Sequence, residues 1–340
     1  MKRRSFVASA FAAGLAARAN SRPVRIAFLG GSHSHAQGKV GVVRRLPDYE
    51  LVGMWEPDET LRERYRAQGI RPFSLEEILE DPSIDVVAVE GDIPDHAPHA
   101  RMALEAGKHV HIEKPPALTV EDMRALLRLA ASKGRLLQVG YMWRHHPGIN
   151  AILQAAKKGW LGDVYLVHTV INKSLAPERR ATWARFRGGQ MFELGCHVID
   201  PLVRLLGRPN RITPYLKKHG DYPDGLADNT LAVFEYSGAM GVVMGTALQP
   251  NSGRYRSFAV YGTLGTATLR PIEPPTLEMD LSRPAGPYPA GPHQVKLPRY
   301  ERYLQDFAEL AAAVRGERGL CVTPAEDLVV QEALLKASGM

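Results

Sequence analysis

Residues 24–31 read Val-Arg-Ile-Ala-Phe-Leu-Gly-Gly, a short apolar run that ends in two glycines. Such a run predicts a buried strand of a parallel sheet, and the glycines predict a tight turn directly after it. Apolar runs at 50–55, 84–89, 109–112 and 136–139 alternate with helical patterns at 61–68, 98–106 and 120–132. This alternation indicates an α/β fold with a doubly wound parallel sheet.

The pattern changes after Tyr141. Strand-like runs at 164–171, 231–236, 241–247, 256–261 and 267–269 accompany helical patterns at 149–157 and 192–206. Turns such as Ser237-Gly238 and Thr263-Leu264-Gly265 predict hairpins, and therefore a mostly antiparallel sheet. The stretch 271–298 is rich in Pro and Gly, which predicts irregular structure.

Two amphipathic helices, predicted at 300–315 and 324–337, complete the chain. We therefore expect an N-terminal Rossmann domain over residues 22–141. We expect a C-terminal α+β domain with an open, mostly antiparallel sheet over residues 142–340, its C-terminal helices spanning 300–337.

Residues 1–19 have the three parts of an export signal: a basic start, a weakly apolar run and the cleavage pattern Ala17-Arg18-Ala19. Arg3-Arg4 followed by Ser5-Phe6-Val7 resembles a twin-arginine signal, whose pathway exports folded proteins. We expect a periplasmic protein, or a cytoplasmic one if the leader does not function. The run is too short and too rich in Ala for a stable transmembrane span, so we expect no stable membrane association.

Composition narrows the class of protein. The 340 residues are 45% hydrophobic and 23% charged, which is typical of a soluble globular enzyme and excludes disordered, collagen-like and multi-span chains. The net charge of +7 falls to +3 once the four basic residues of the leader are set aside, so we expect no nucleic-acid partner. Cys196 and Cys321 are too few for a disulfide framework or a structural zinc cluster, and we predict no metal site.

The turn Gly30-Gly31-Ser32-His33-Ser34-His35 departs from the dinucleotide fingerprint G-x-G-x-x-G, because Ser32 and His35 replace its second and third glycines. Ser32 is small and can still donate to a phosphate, whereas His35 implies altered packing. Glu56 follows the second predicted strand, where a carboxylate accepts from both ribose hydroxyls and repels a 2′-phosphate. These residues predict NAD as cofactor, with NADP disfavoured. A glycine-rich turn of another α/β protein is the open alternative.

Further along the chain, residues 106–115 read Ala-Gly-Lys-His-Val-His-Ile-Glu-Lys-Pro. This run resembles the AGKHVxxEKP signature of the Gfo/Idh/MocA family, which includes glucose-fructose oxidoreductase and inositol dehydrogenase. Four later segments, 159–164, 188–200, 261–265 and 323–327, are similar to further motifs of that family. The resemblance covers nearly all of the chain after residue 22.

The resemblance implies a catalytic pair. Lys114 would touch the reacting hydroxyl and stabilise a developing alkoxide, and His197 would accept the hydroxyl proton. Glu193 precedes His197 by four residues, so a helix would place both on one face and the carboxylate would orient the imidazole. The family usually has Asp where this sequence has Glu193.

Other residues are weaker candidates. His33, His35, His96, Glu113 and Lys114 are predicted at the cofactor, although capping or solvated roles for the histidines remain open. Arg144, His145, Arg185 and His197 are predicted at the substrate, and a solvated loop is the alternative for Arg185.

The resemblance further implies hydride transfer between a secondary hydroxyl of a sugar, sugar acid or polyol and a tightly bound nicotinamide, in a homodimer or homotetramer. An exported enzyme would have no free NAD(H) pool with which to exchange its cofactor. The redox state of the cofactor would therefore have to be restored while the cofactor stays bound to the enzyme. If the hydride returned to the same sugar, the protein would be an NAD-dependent glycoside hydrolase that oxidises, eliminates, hydrates and reduces. A non-catalytic ligand sensor on the same fold is the third hypothesis, against which Lys114 and His197 argue.

Overall fold

The computed structural model describes residues 22–340, and the predicted export leader lies outside that range. Five parallel strands form a first sheet in the order β2-β1-β3-β4-β5. The strands are β1 (Val24–Leu29), β2 (Tyr49–Trp55), β3 (Val86–Val89), β4 (His109–Ile112) and β5 (Leu137–Val139). The helices between them are α1 (Ala36–Arg45), α2 (Glu59–Ala67), α3 (Leu75–Glu80), α4 (Ile93–Glu105) and α5 (Val120–Ser132).

The strand order explains where a cleft forms. The chain runs from β1 outward to β2 and then returns to β3 on the other side of β1. All four residues of β3 are buried, because the crossover helices cover both faces of a parallel sheet. The connections diverge between β1 and β3, which is the position where doubly wound sheets bind ligands at their carboxyl edge.

Eight strands form a second sheet, in the order β13-β12-β11-β10-β6-β9-β8-β7. They are β6 (Val164–Val170), β7 (Arg211–Lys217), β8 (Asn229–Glu235), β9 (Met240–Thr246), β10 (Ser257–Gly262), β11 (Gly265–Leu269), β12 (Leu277–Leu281) and β13 (Gly291–Val295). Only the β6–β9 pair is parallel among the described strands of this sheet, so the predicted α/β class and mostly antiparallel second sheet are confirmed. The helices that accompany this sheet are α6 (Pro147–Lys157), α7 (Pro177–Ala184), α8 (Gln190–Leu194) and α9 (Cys196–Leu206).

The prediction of irregular structure over 271–298 is wrong for two segments of that stretch. Strands β12 and β13 lie in this stretch and extend the sheet by two antiparallel pairs. In β12 the residues Leu277, Met279 and Leu281 are buried, while Glu278 and Asp280 between them are exposed. This alternation is the pattern of a half-buried strand, and it persists despite the neighbouring prolines.

The last two helices are α10 (Leu304–Val314) and α11 (Pro324–Ala337), and α10 contacts the N-terminal half of the chain. Helix α10 packs against α1, and the Tyr49 hydroxyl in β2 donates to the carbonyl of Phe307 at 2.8 Å. Arg315, just after α10, pairs with Asp48 at 2.7 Å. The chain therefore returns to the first sheet after residue 300, and α10 packs against elements of the N-terminal half. Within residues 22–340, no helix combines the length and the apolar character needed to cross a membrane.

A buried ion-pair group joins the crossover after β5 to two helices of the second half. The Arg144 guanidinium donates to Asp200 in α9 at 2.9 and 3.0 Å, and it also contacts Asp327 in α11. All three side chains are buried, so their charges are compensated by one another and not by water.

Replacing Arg144 with Met should lower the free energy of unfolding by about 3 to 5 kcal/mol, because Asp327 would then be buried without a cation and Asp200 would keep only Arg204, at 3.8 Å. Denaturant unfolding of the variant and the wild type measures the difference. Exposed Arg66 supplies the matched control, and Arg66→Met should change stability by less than about 0.5 kcal/mol. Equal losses in the two variants would contradict a structural role for Arg144.

Candidate active site

The carboxyl ends of β1 and β3 open onto a cleft of about 320 Å³. The first sheet contributes the loops after β1 and β3, and the second half contributes α7 and its flanks. The lining residues are Ser32, His33, Ser34, Gly91, Asp92, Ile93, Arg179, Thr182, Trp183, Arg185, Phe186 and Glu193. A larger groove of about 1250 Å³ lies between α6 and residues 295–298, and none of the predicted site residues lines it.

Two glycines give the turn after β1 its shape. Gly30 has φ +78°, and a Cβ placed on it would lie 2.6 Å from Cα of Gly91, so the turn packs directly on the loop after β3. A Cβ on Gly31 would lie 2.4 Å from the ring of Tyr65. These glycines are buried and shape the turn, whereas the exposed Ser32 and Ser34 carry the hydroxyls that line the cleft.

Glu56 lies beside this turn, at the end of β2. Its carboxylate accepts from the backbone N–H of Gly31 at 2.6 Å and from that of Asp58 at 2.9 Å. The Tyr65 hydroxyl donates to the carbonyl of Gly31 at 2.8 Å. Glu56 therefore keeps the turn in place, in addition to the ribose contact predicted for it.

A buried ion-pair network, formed by Lys39, Glu90 and Glu113, lies beneath the turn. The Lys39 ammonium in α1 donates to Glu90 after β3 at 2.6 Å and contacts Glu113 after β4. Burial raises the pKa of Glu90 to about 8, so at neutral pH Glu113 carries the charge that pairs with Lys39. The Lys39–Glu90–Glu113 network ties the turn to the ends of two strands.

Glu113 also contacts both histidines of the turn. One of its oxygens lies 3.1 Å from Nδ1 of His35 and 3.6 Å from Nδ1 of His33. Burial lowers the pKa of His35 to about 4 and moves the pKa of His33 well below its ordinary value. Both imidazoles are therefore neutral at neutral pH.

The predicted catalytic Lys114 lies buried at the end of β4. Its ammonium donates to the Glu193 carboxylate at 3.3 Å and to the Glu193 carbonyl at 3.1 Å. Burial opposes the charged form, but the carboxylates of Glu193 and Glu113 outweigh it and raise the pKa of Lys114. Lys114 therefore carries a full positive charge inside the protein.

The predicted pairing of Glu193 with His197 is wrong. The chain separates into α8 and α9 at Gly195, and the Glu193 carboxylate turns toward Lys114. A buried ammonium attracts a carboxylate more strongly than a neutral imidazole does. Glu193 therefore positions Lys114, not the histidine.

His197 is buried near the rings of Trp143 and His35, at centroid distances of 5.7 and 5.8 Å. Neither ring nitrogen has a hydrogen-bond partner within residues 22–340. Burial first, and then the charge of Lys114, hold the pKa of His197 well below its ordinary value. The ring is thus a neutral, unpartnered proton acceptor close to a fixed ammonium.

Three predicted site residues have other roles. The imidazole of buried His96 contacts the carbonyls of Pro115 at 2.8 Å and Gly91 at 3.2 Å, so it joins two loops, and like Lys114 and His197 it is not among the residues that line the cleft. Arg144 donates to its two carboxylate partners and to the carbonyl of Val139, which removes the basis for a substrate contact. His145 lies beside Glu309 and Cys321 and does not line the cleft. Arg185 does line it and pairs with Asp92 across its mouth at 2.7 Å.

Sequence reasoning missed Lys39, Glu90 and Asp92. A lysine among Val40, Val42 and Val43 on the buried face of α1 was a usable signal, since lysine is rarely buried without a partner. Glu90 and Asp92 directly follow four apolar residues of β3, at the edge where ligands bind.

These residues fit a dinucleotide in two respects. At Gly30 a Cβ would collide with the backbone of Gly91, so the chain keeps the tight turn that the first glycine of a dinucleotide-binding fingerprint provides. The exposed hydroxyls of Ser32 and Ser34 precede the N-terminus of α1, an end that favours anions.

Comparison with known families covers both halves of the chain. Residues 24–141 match the family described as "Oxidoreductase family, NAD-binding Rossmann fold". Residues 149–268 match the "GFO/IDH/MocA C-terminal domain".

A curated relative, scyllo-inositol 2-dehydrogenase (NADP(+)) IolW of Bacillus subtilis, is 31% identical over 201 residues, which are 56% of each chain. In the first three curated relatives the match spans 56 to 60% of the relative's length.

Two solved structures are similar in fold over nearly the whole chain. A putative NADPH-dependent oxidoreductase of Desulfitobacterium hafniense has a TM-score of 0.82 at 18% identity, covering 94% of this chain and 95% of its own. The UDP-N-acetylglucosamine 3-dehydrogenase GnnA of Acidithiobacillus ferrooxidans has a TM-score of 0.78 at 19% identity, covering 94% of this chain and 98% of its own.

Because His197 is buried and neutral, we expect part of the loss of folding stability in acid to depend on this residue. In the unfolded chain a histidine takes up a proton below pH about 6.5, whereas the folded ring stays neutral, so acid favours unfolding. Between pH 7.5 and 5.5 the wild type should lose about 1.4 kcal/mol more stability than His197→Gln in urea unfolding. The control variant His219→Gln, at an exposed position, should lose as much as the wild type. An equal loss in His197→Gln would contradict the buried neutral imidazole.

Proposed function

The chain belongs to the Gfo/Idh/MocA oxidoreductase family, and from that premise we propose that it is an NAD-dependent dehydrogenase acting on a secondary hydroxyl of a sugar, sugar acid or polyol. One observation carries this proposal. Buried His197 is neutral and unpartnered within the described residues, and the charged Lys114 lies near enough to lower its pKa further. A cation that stabilises an alkoxide, next to a base that takes the proton, is what oxidation of an alcohol requires.

The chain's own residues supply the proton chemistry. An ammonium has three donors, and Glu193 accepts from Lys114 at two atoms, so one donor is left for a substrate hydroxyl. A ring nitrogen of His197 accepts the proton of that hydroxyl. Burial of both groups excludes water, which strengthens the electrostatic effect of the ammonium.

The turn after β1 would hold the dinucleotide through Ser32, Ser34 and the backbone at Gly30, and NAD bound there would supply the hydride acceptor. The substrate class is supported by the curated inositol dehydrogenase, whose name gives a polyol as its substrate. Arg185 and Asp92 lie at the mouth of the cleft, where a polar substrate would enter.

Lys114→Met and His197→Ala should each lower turnover by about 100- to 10,000-fold, because each removes a group that acts on the reacting hydroxyl. Cofactor affinity should stay unchanged in His197→Ala, which is not assigned to the dinucleotide, and also in Lys114→Met, where we place the ammonium on the substrate hydroxyl and not on the cofactor. Single-turnover reduction of bound NAD by a panel of sugars and polyols measures turnover, and equilibrium titration measures cofactor affinity.

Exposed Lys133 supplies the control for this pair, and Lys133→Met should turn over as the wild type does. Unchanged turnover in His197→Ala, on a substrate that the wild type oxidises, would refute the assignment of the base. Lost cofactor binding in Lys114→Met would move Lys114 from the substrate to the cofactor.

Glu56 should set the cofactor preference. A carboxylate beside the turn repels a 2′-phosphate, so the wild type should bind NAD(H) more tightly than NADP(H). Glu56→Gln keeps one oxygen for the Gly31 N–H but removes the charge. It should lower the ratio of the Kd for NADP(H) to the Kd for NAD(H) by about tenfold. Titration of both cofactors decides the matter, and tighter binding of NADP(H) by the wild type would overturn the assignment.

A further inference from the structure

Three side chains of different chemistry converge behind the first sheet, away from the cleft. They are His145 after β5, Glu309 in α10 and Cys321 before α11. The Nε2 atom of His145 lies 3.3 Å from Oε2 of Glu309 and 3.9 Å from Sγ of Cys321. The dehydrogenase chemistry proposed above uses none of the three.

The spacing of these atoms matches that around a tetrahedral zinc ion. Zinc binds His nitrogen and carboxylate oxygen at about 2.0 to 2.2 Å and Cys sulfur at about 2.3 Å. In a tetrahedron with these bond lengths, the N to O edge is about 3.3 Å and the N to S edge about 3.6 Å. The N to O distance of 3.3 Å fits this geometry, the N to S distance of 3.9 Å is a few tenths of an ångström too long, and all three ligand atoms lie within 4.8 Å of one another.

The carboxylate is held in position before any ion binds. Glu309 is buried, and its Oε1 accepts from the backbone N–H of Cys321 at 2.9 Å. Its Oε2 lies 3.3 Å from Nε2 of Gln138, which fixes the second oxygen toward His145. Such outer contacts orient ligands in protein metal sites.

The charges around the three side chains favour a cation. Glu309 and Asp306, which lies one turn earlier in α10, are both buried, and Oε2 of Glu309 lies 3.3 Å from Nε2 of His145. Negative charge at this point would attract a divalent cation.

The other convergent group of this kind in the described part of the chain is His33, His35 and Glu113. Its environment differs, because the Lys39 ammonium already pairs with Glu113 and the charge of Lys114 lies close to both histidines. Positive charge is supplied there by the protein itself.

We propose that His145, Glu309 and Cys321 bind one Zn²⁺ ion, with solvent as the fourth ligand on the exposed side of Cys321. Zinc binds the neutral imidazole and the thiolate, so binding releases the protons that these two side chains carry. A thiolate, an imidazole and a carboxylate together favour zinc over Mg²⁺ or Ca²⁺, which prefer oxygen ligands. A single cysteine suffices here, contrary to the expectation from the cysteine count, because the other ligands come from two distant segments.

The proposed ion would connect three parts of the fold. Residue 145 follows the last strand of the first sheet, residue 309 lies in the helix that returns to that sheet, and residue 321 begins the final helical segment. A zinc ion at this point would keep α10 and the segment before α11 against the first sheet. This inference is independent of the proposed dehydrogenase activity.

The test uses the full chain, stripped of metal with a chelator and then titrated with Zn²⁺ and, separately, with Co²⁺. We expect one equivalent of Zn²⁺ per chain, a rise of several degrees in Tm, and a thiolate-to-cobalt charge-transfer absorption. Cys321→Ser should abolish that absorption and weaken zinc binding by about tenfold or more. Glu309→Gln should weaken zinc binding while keeping the absorption.

Cys196→Ala is the matched control, since it removes the other thiol and leaves the three side chains intact. It should keep both the absorption and the zinc affinity. The proposal is overturned if the wild type binds no zinc, if Cys321→Ser binds it as tightly as the wild type, or if the absorption disappears in Cys196→Ala. If Cys321→Ser does not fold, the zinc affinity of Glu309→Gln decides, and an unchanged value overturns the proposal.

Discussion

The buried ammonium of Lys39 is the contact on which the candidate site depends. It links α1, which follows the glycine turn, to Glu90 after β3 and Glu113 after β4. Gly140 makes room for it, because a Cβ there would lie 2.8 Å from the Lys39 ammonium. Removing the ammonium would leave Glu113 charged and buried without its cation, a change that is strongly destabilising in protein interiors.

The charges of the site follow from this contact. With Lys39 balancing Glu113, that carboxylate accepts from His35 and keeps its contact with His33 without requiring either ring to be protonated. Glu193 balances Lys114 in the same way, so positive and negative charges are paired. His197 is left as a buried neutral ring, which is the state in which imidazole accepts a proton.

Motifs and hydrophobic periodicity predicted those parts of the molecule whose structure is determined by short segments of the sequence. The apolar runs predicted strands β1 to β5. The run that ends in Lys114 predicted the carboxyl edge of the first sheet, where the candidate site lies. The Lys39 contacts join residues 51 and 74 positions apart, and such pairs leave no periodic pattern in a sequence. Glu193 was assigned to the wrong partner because helical spacing identifies neighbours on one face but does not show which neighbour carries a charge.

The central claim is that the cleft between β1 and β3 binds a nicotinamide dinucleotide although two fingerprint glycines are replaced. The most direct measurement is the nucleotide content of the purified full chain, by mass spectrometry after denaturation, followed by equilibrium dialysis with added NAD(H) and NADP(H). We expect one dinucleotide per chain, either retained on purification or bound on addition. A folded protein that neither retains nor binds either cofactor would contradict it.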